Sequence, residues 1–403
     1  MKNKRVVVTG LGVVSALGNS IEAFEENLRT GKSGIKKITR FKTEGLRNDH
    51  AGEVSEFEYP EGVDDRCLAF TFNAVEQALR QSALNIDEMD LSRIGVSIAT
   101  SLGCAEEVEE YIKARVNGKR PSLNMIDNVP HGKPAATVAA KYDLSGPVVC
   151  IDTACASGSS AIGYAYELLQ SNRSDIVIAG GVDILNILSF SGFNCMMNLS
   201  KDITQPFNIE RPGLMLGEGC GIAILETYES AISRKADILA EVRGYGLSND
   251  AFHETKPDPL GGGAVRSMLM AINEAGIEKN NIQYINAHGT GTKFNDPMEM
   301  NAIRTVFGEH GENIKISSIK AALGHTLGAA GGIEFVSTVL NIHKGFVSPT
   351  INFEKPMSGY EKYDFVPNRG KECEIDFALS NSFGFGGNCC SVLLSRFMET
   401  RSK

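Results

Sequence analysis

Of the nine cysteines in this 403-residue chain, Cys155 stands where a nucleophile could be made. The segment Ile151-Asp-Thr-Ala-Cys155-Ala-Ser-Gly158 leads from an apolar run, Pro147 to Ile151, expected to be a buried strand, through a turn of small residues. It continues into Ser159-Ser-Ala-Ile-Gly-Tyr-Ala, a helix start whose small side chains permit close packing. Strand, turn, nucleophile and helix in that order expose an attacking side chain. A thiol at a helix N-terminus meets unpaired N–H groups and the positive end of the dipole, which lower its pKa and can hold an oxyanion. The other cysteines (Cys67, Cys104, Cys150, Cys195, Cys220, Cys373, Cys389, Cys390) are expected mostly to be small buried hydrophobes. Their odd total and the lack of a Cys-x-x-Cys pair argue against a disulfide framework or a structural zinc site.

Two of the seven histidines lie among glycines at expected strand ends. His288 sits in Asn286-Ala-His-Gly-Thr-Gly-Thr292, and His325 in Lys320-Ala-Ala-Leu-Gly-His325-Thr-Leu-Gly-Ala-Ala-Gly331. Glycine lets backbone or ligand approach closely, and imidazole exchanges protons near neutrality. His50, His131, His253, His310 and His343 lack such settings and read as structural or solvent-facing. A zinc site built on the cysteine and two histidines would want a fourth ligand, and none stands at suitable spacing. Further on, Asn381-Ser-Phe383-Gly384-Phe385-Gly386-Gly387-Asn388 interleaves aromatics with glycines, the composition of a loop that closes over a pocket. Two phosphate-binding imitations fail. Val8-Thr-Gly10-Leu-Gly12-Val-Val-Ser15 lacks the third glycine and a following acidic residue, and reads as a tight strand-to-loop turn. Gly31-Lys32-Ser33 has Glu26 where a phosphate loop needs glycine.

These groups must be held by something. Arg5 to Thr9, Ile94 to Ala99, Val148 to Ile151, Ile176 to Ile178 and Gly221 to Leu225 read as buried strands. Ile21 to Arg29, Leu68 to Gln81 and Ser159 to Gln170 carry apolar residues at helical spacing. The alternation predicts an α/β fold, with parallel or mixed sheets covered on both faces. A weak echo of element order relates residues 1–235, which carry the cysteine, to residues 236–403, which carry the histidines and the glycine-phenylalanine loop. Composition sets outer limits: 42% apolar, 22% charged and a net charge of −9 describe a globular protein and argue against general nucleic-acid binding. No apolar stretch reaches the ~20 residues of a membrane span, and the Val6-Val7-Val8 run is too short for a signal core, so a cytoplasmic location is expected. The 42 glycines exceed the roughly 28 of average usage.

Together the motifs around Cys155, His288, Lys320/His325 and Phe383 to Gly387 resemble the condensing-enzyme family, the β-ketoacyl-[acyl-carrier-protein] synthases, of the elongating Cys-His-His type. The resemblance spans nearly the whole chain. It implies a thiolase-like fold, two similar halves in a five-layered α-β-α-β-α core, assembled as a homodimer or as a heterodimer with a chain-length-factor-like subunit. It implies acylation of Cys155, then decarboxylating condensation with a malonyl thioester, with oxyanions held by the N–H groups of Cys155 and Phe385 and by His288 and His325. Lys320 would fix His325, and Glu299 would support the site from behind. Phe385, flanked by Phe383, Gly384 and Gly386, would be the gate, and Thr290 and Thr292 would bond the pantetheine arm. Arg66, Lys119 and Arg120, with Lys113 and Arg115 nearby, would dock an acidic acyl carrier protein, and Glu106 to Val116 with Leu102 and Cys104 would shape the acyl pocket. No metal and no bound organic cofactor is implied, because phosphopantetheine arrives on the carrier. The chain departs from the family pattern at Asn208, Pro212, Ala321, Asn388 and Cys389, which points towards a specialised polyketide or polyene pathway. A degradative thiolase would want a C-terminal Cys-x-Gly, which Cys389-Cys390-Ser391 does not supply, and a non-catalytic partner subunit would lack Cys155.

Overall fold

The apolar run that starts at Val6 does not turn at Gly10. It continues as a ten-residue strand, β1 (Val6–Ser15), buried along its whole length. The two glycines serve close packing: a Cβ at Gly10 or Gly12 would lie 2.1 or 1.8 Å from the carbonyl oxygens of Ala78 and Ala74 on the helix that crosses β1. The expected turn is therefore corrected to a helix-on-strand contact that only glycine allows. The structure is a computed structural model and describes residues 4–122 and 130–399.

After β1 come α1 (Ile21–Thr30), a short ribbon of β2 (Lys36–Lys37) and β3 (His50–Ala51), and α2 (Arg66–Ser82), whose N-cap Asp65 accepts from the Leu68 amide. Then follow β4 (Ile94–Ala99), α3 (Ala105–Val116), α4 (Lys133–Lys141), β5 (Val148–Val149), α5 (Ser157–Gln170), β6 (Ile176–Asp183), α6 (Ile187–Cys195) and β7 (Gly219–Thr227). The second half runs through α7 (Tyr228–Ser233), β8 (Ala240–Asn249), α8 (Gly262–Ala275), β9 (Tyr284–Asn286), α9 (Asn295–Phe307), β10 (Lys315–Ser317), α10 (Lys320–Leu323) and α11 (Ala330–Lys344). A ribbon of β11 (Phe346–Val347) and β12 (Lys371–Glu372) precedes the closing hairpin of β13 (Phe377–Phe383) and β14 (Asn388–Ser395).

Ten strands form one sheet in the order β10-β9-β13-β14-β8-β1-β7-β6-β4-β5. Its seam is the pairing of Val6–Val8 with Ala240–Val242. Outward from that seam each half repeats one pattern. Its first strand pairs antiparallel with its last, which pairs antiparallel with the next, and two parallel pairings complete the half. The echo in the sequence is thus a repeat of strand order and direction. Helices α5 and α11 pack on strands of both halves, α2 and α4 cover one outer face, and α8 and α9 cover the other, giving five layers. Where α5 meets α11, a Cβ on Gly158 would lie 2.5 Å from the Gly332 amide nitrogen. The excess of glycine is in part the means by which this central layer is thin.

The apolar run before Cys155 differs from expectation. Only Val148 and Val149 pair as a strand; Val148 is 41% exposed and residues 149–151 are half-buried. The reason is position: β5 is the outermost strand of its half, with one hydrogen-bonding edge unpaired among the described residues.

Candidate active site

Cys155 closes the sharp turn between β5 and α5. Ala154, immediately before it, has φ +51°, a left-handed conformation uncommon for a residue with a Cβ, and it is held by donors on either side. Ser157 Oγ accepts from the Thr153 amide at 2.8 Å and donates to the Ala154 carbonyl, which also accepts from Ser101 Oγ at 3.1 Å. The N–H groups of Phe385 and of Cys155 itself both point at Sγ. Gly384 makes this approach possible, since a Cβ there would sit 2.8 Å from the Thr153 carbonyl oxygen.

The thiol is not acidified, contrary to expectation. Burial pushes Cys155 up to about 11, against the pull of Lys320 and the two amides. The magnitudes explain it: a helix N-terminus contributes about 0.3–1 kcal/mol, less than one pKa unit. Full burial moves a group by as much as ~3–5 units.

His288 follows β9, and His325 follows α10 through Gly324, which adopts φ +79°. The His325 backbone is laddered to the first half, its N–H donating to Met215 O at 2.7 Å and its carbonyl accepting from the Gly217 amide. The two rings meet edge-on with centroids 5.3 Å apart, both buried. Burial, then the charge of Lys320, holds both imidazoles well below the usual histidine range, and the neighbouring His325 adds to this for His288. Both are therefore neutral at physiological pH. His325 Nδ1 accepts from the Leu327 amide at 3.3 Å, and His288 Nδ1 faces Lys320 Nζ at 3.3 Å. With each Nδ1 taken as an acceptor, each ring carries its proton on Nε2, so both are hydrogen-bond donors there.

The expected partner of Lys320 changes. Lys320 lies against His288 and forms a buried ion pair with Glu334 on α11; it acts on His325 through its charge alone. Glu299 on α9 lies behind His288 and accepts from the amides of His288 at 2.9 Å and Gly289 at 2.8 Å. Burial lifts Glu299 and Glu334 each to about 7.

Cys155, His288 and His325 open onto one cleft, also lined by Phe383, Gly384, Phe385, Gly386, Thr290 and Thr292. The two threonine hydroxyls are 2.9 Å apart. Phe385 stacks on Phe193 of α6 at 5.7 Å, and Phe383 meets His288 edge-on. Asn388 donates from Nδ2 to the Phe385 carbonyl, and Asn208 Oδ1 accepts from the Glu354 and Lys355 amides. These two departures thus have structural work; Ala321 and Cys389 are buried and Pro212 is exposed.

Arg66 is not part of a docking surface. It is 5% exposed, bonded to Glu218 through two nitrogens and seated over the Phe70 ring. Lys119 and Arg120, just past α3, are exposed, as is Arg115, and Lys113 pairs with Glu109.

Several residues of the site were not legible as such. His253 lines the cleft although no glycine flanks it. Glu334 could have been flagged as the one acid of α11, set among small and apolar residues in its first turns. Asp183, the acid that closes β6, accepts from Thr100 Oγ1, the Ser101 and Leu102 amides and the Gly328 amide, and so ties the loop after β4 to the His325 loop; burial lifts it to about 6.

Residues 3–231 match the family model described as "Beta-ketoacyl synthase, N-terminal domain", and residues 239–354 its C-terminal counterpart. The 3-oxoacyl-[acyl-carrier-protein] synthase 2 of Coxiella burnetii is 39% identical, with 99% of this chain and all of that protein covered. The Synechocystis protein of the same name is 38% identical, with 98% and 99% covered. Among solved structures, the ishigamide ketosynthase/chain length factor superposes with a TM-score of 0.94 at 33% identity. A ketosynthase in complex with its type II polyketide acyl-carrier protein superposes at 0.92 and 35%; in both cases 98% of this chain and all of the other are covered. A thiol beneath two amides, two imidazoles held as donors beside it, and matches that span both halves place the chain in the beta-ketoacyl synthase family.

Proposed function

We propose that this cleft carries out a decarboxylating Claisen condensation on thioesters borne by the phosphopantetheine arm of an acyl carrier protein. Sγ of Cys155 attacks the acyl carbonyl; a C–S bond forms, the arm's sulfur leaves with the thiol proton, and the Cys155 and Phe385 amides receive the oxyanion. A malonyl thioester then enters. Its bond to the carboxylate breaks, CO₂ departs, and the electron pair becomes an enolate whose oxygen accepts from Nε2–H of His288 and His325. The enolate carbon attacks the acyl-cysteine carbonyl and Sγ leaves as a thiolate that takes up a proton from water, giving a 3-ketoacyl thioester two carbons longer. Phe385, stacked on Phe193, is the gate between the two loadings. Thr290 and Thr292 bond the arm, residues 1–235 supply the nucleophile and residues 236–403 the two imidazoles. None of these steps draws on a metal or a bound organic cofactor.

The observation that carries the reading is electrostatic. The imidazoles are neutral donors, which suits an enolate oxygen, and the amides of Cys155 and Phe385 favour negative charge at Sγ. The cytoplasm is the expected compartment. The uncovered β5 edge suits a second subunit, either another copy or a chain-length-factor-like chain such as the one in the ishigamide structure. The departures at Asn208, Pro212, Ala321, Asn388 and Cys389 favour a specialised polyketide or polyene pathway.

Intact-mass measurement after incubation with a panel of acyl-carrier thioesters tests this directly. An acyl adduct confined to Cys155, followed by its discharge to a 3-ketoacyl thioester when malonyl carrier is added, is expected. In Cys155→Ala the adduct disappears while malonyl decarboxylation persists. Full condensation by that variant would overturn the proposal.

A further inference from the structure

The cleft walls are unusual in charge. Of the residues that line it, none is Asp or Glu, and Lys256 is the one with a fixed charge. Lys256 is exposed and forms no ion pair among the described residues; its Nζ rests 5.5 Å from the centroid of the Phe294 ring, itself 56% exposed. A cation over an aromatic face is attracted to it and held near one position without being neutralised.

The acids closest in sequence are engaged elsewhere. Asp258 accepts from the Leu260 and Gly262 amides, and Asp250 accepts from the Phe252 and Asp258 amides. Glu254 is exposed, and its backbone carbonyl accepts from the Gly386 amide, which ties this loop to the one that carries Phe385. Asp250 and Asp258 thus spend their carboxylates on the fold of this loop, Glu254 lies outside the cleft lining, and a single ammonium faces the cleft.

Resting on the proposed reading of the site, we propose that Lys256 binds the phosphodiester of the incoming phosphopantetheine arm. The arm is neutral along its amides and anionic only at its phosphate, at the end opposite its sulfur. Cys155 takes the sulfur end, Thr290 and Thr292 the amides, and Lys256 the anion. Lys256 is then a binding residue that selects phosphorylated donors over those carrying the same acyl group on an uncharged arm.

The test compares acylation of Cys155 by hexanoyl-phosphopantetheine and by hexanoyl-pantetheine, using the full chain, Lys256→Met and Lys256→Arg. A charge-assisted contact predicts that the unaltered protein prefers the phosphorylated donor by about tenfold in kcat/KM, mainly through KM. The preference should shrink with added salt, fall to about parity in Lys256→Met and return in Lys256→Arg. An equal preference in Lys256→Met and the unaltered protein overturns the assignment of Lys256 while leaving the condensing reading intact. No acylation of Cys155 from either donor, or from the carrier-bound thioester, overturns both.

Discussion

The nucleophile and the two imidazoles share a cleft but are built by opposite means. Around Cys155 the structure uses backbone: a left-handed Ala154, a Ser157 bracket and two amides facing Sγ, with no side-chain base in hydrogen-bond contact among the described residues. Around His288 and His325 it uses buried charge: Lys320 paired with Glu334 and set against His288, and Glu299 bracing the loop. The first arrangement leaves the thiol protonated until a substrate arrives. The second makes protonation of the imidazoles unfavourable, which keeps them available as donors. Directed dipoles suit a transient oxyanion at the nucleophile, whereas burial reinforced by a fixed cation holds two rings neutral in one place.

Substitutions at the second region should separate the half-reactions most sharply. His288→Ala or His325→Ala should slow malonyl decarboxylation by about 10²–10³-fold, the usual cost of one oxyanion donor, and self-acylation by far less. Measuring CO₂ release and acyl adduct in parallel decides it, and equal losses in the two would erase the contrast. Next in size is pH. With its thiol lifted to about 11, Cys155 gains thiolate as pH rises, so acylation should accelerate by about tenfold per pH unit between 7 and 9. The imidazoles lie well below the ordinary value of 6.5, so falling pH does not protonate them near neutrality. The groups that take up protons between about pH 8 and 6 are Glu299 and Glu334, each lifted to about 7, and any loss of decarboxylation in that range should follow them. A fall centred at 6.5 that persists in Glu299→Gln and Glu334→Gln would contradict the neutral-donor reading. The smallest effect belongs to the surface outside both regions. Lys119→Glu with Arg120→Glu should raise the KM for carrier-bound substrate a few-fold at low salt and hardly at all at high salt, since exposed charges steer more than they bind.

What could be read in the sequence was what is local. Cys155, His288, His325 and the Phe383-to-Gly387 loop announce themselves because glycine and small residues gather within a few positions of each. The partner of Lys320 could not be read this way, because Glu334 reaches it across one turn of α10 and the start of α11. Arg66 misleads for a related reason: its charge looks like a surface feature until Glu218, 152 positions away, is folded onto it. Gly10 and Gly12 look like a turn in the sequence because it shows the lack of a side chain and not the helix that needs its absence. The thiol of Cys155 shows the same limit in energetic form, since a helix N-terminus is visible in one dimension and burial is not.

The contact between Gly158 and Gly332 acquires another meaning once the site is known. Cys155 precedes the first turn of α5 and His325 lies shortly before α11, so each helix carries a reacting group at its leading end. The spacing of those groups is therefore copied from the spacing of two helix axes, set where neither helix has a side chain to adjust it. The pair works as a caliper with no moving jaw. Chemistry performed at one end of the central layer depends on a calibration made in its dry interior, by residues that never meet the substrate.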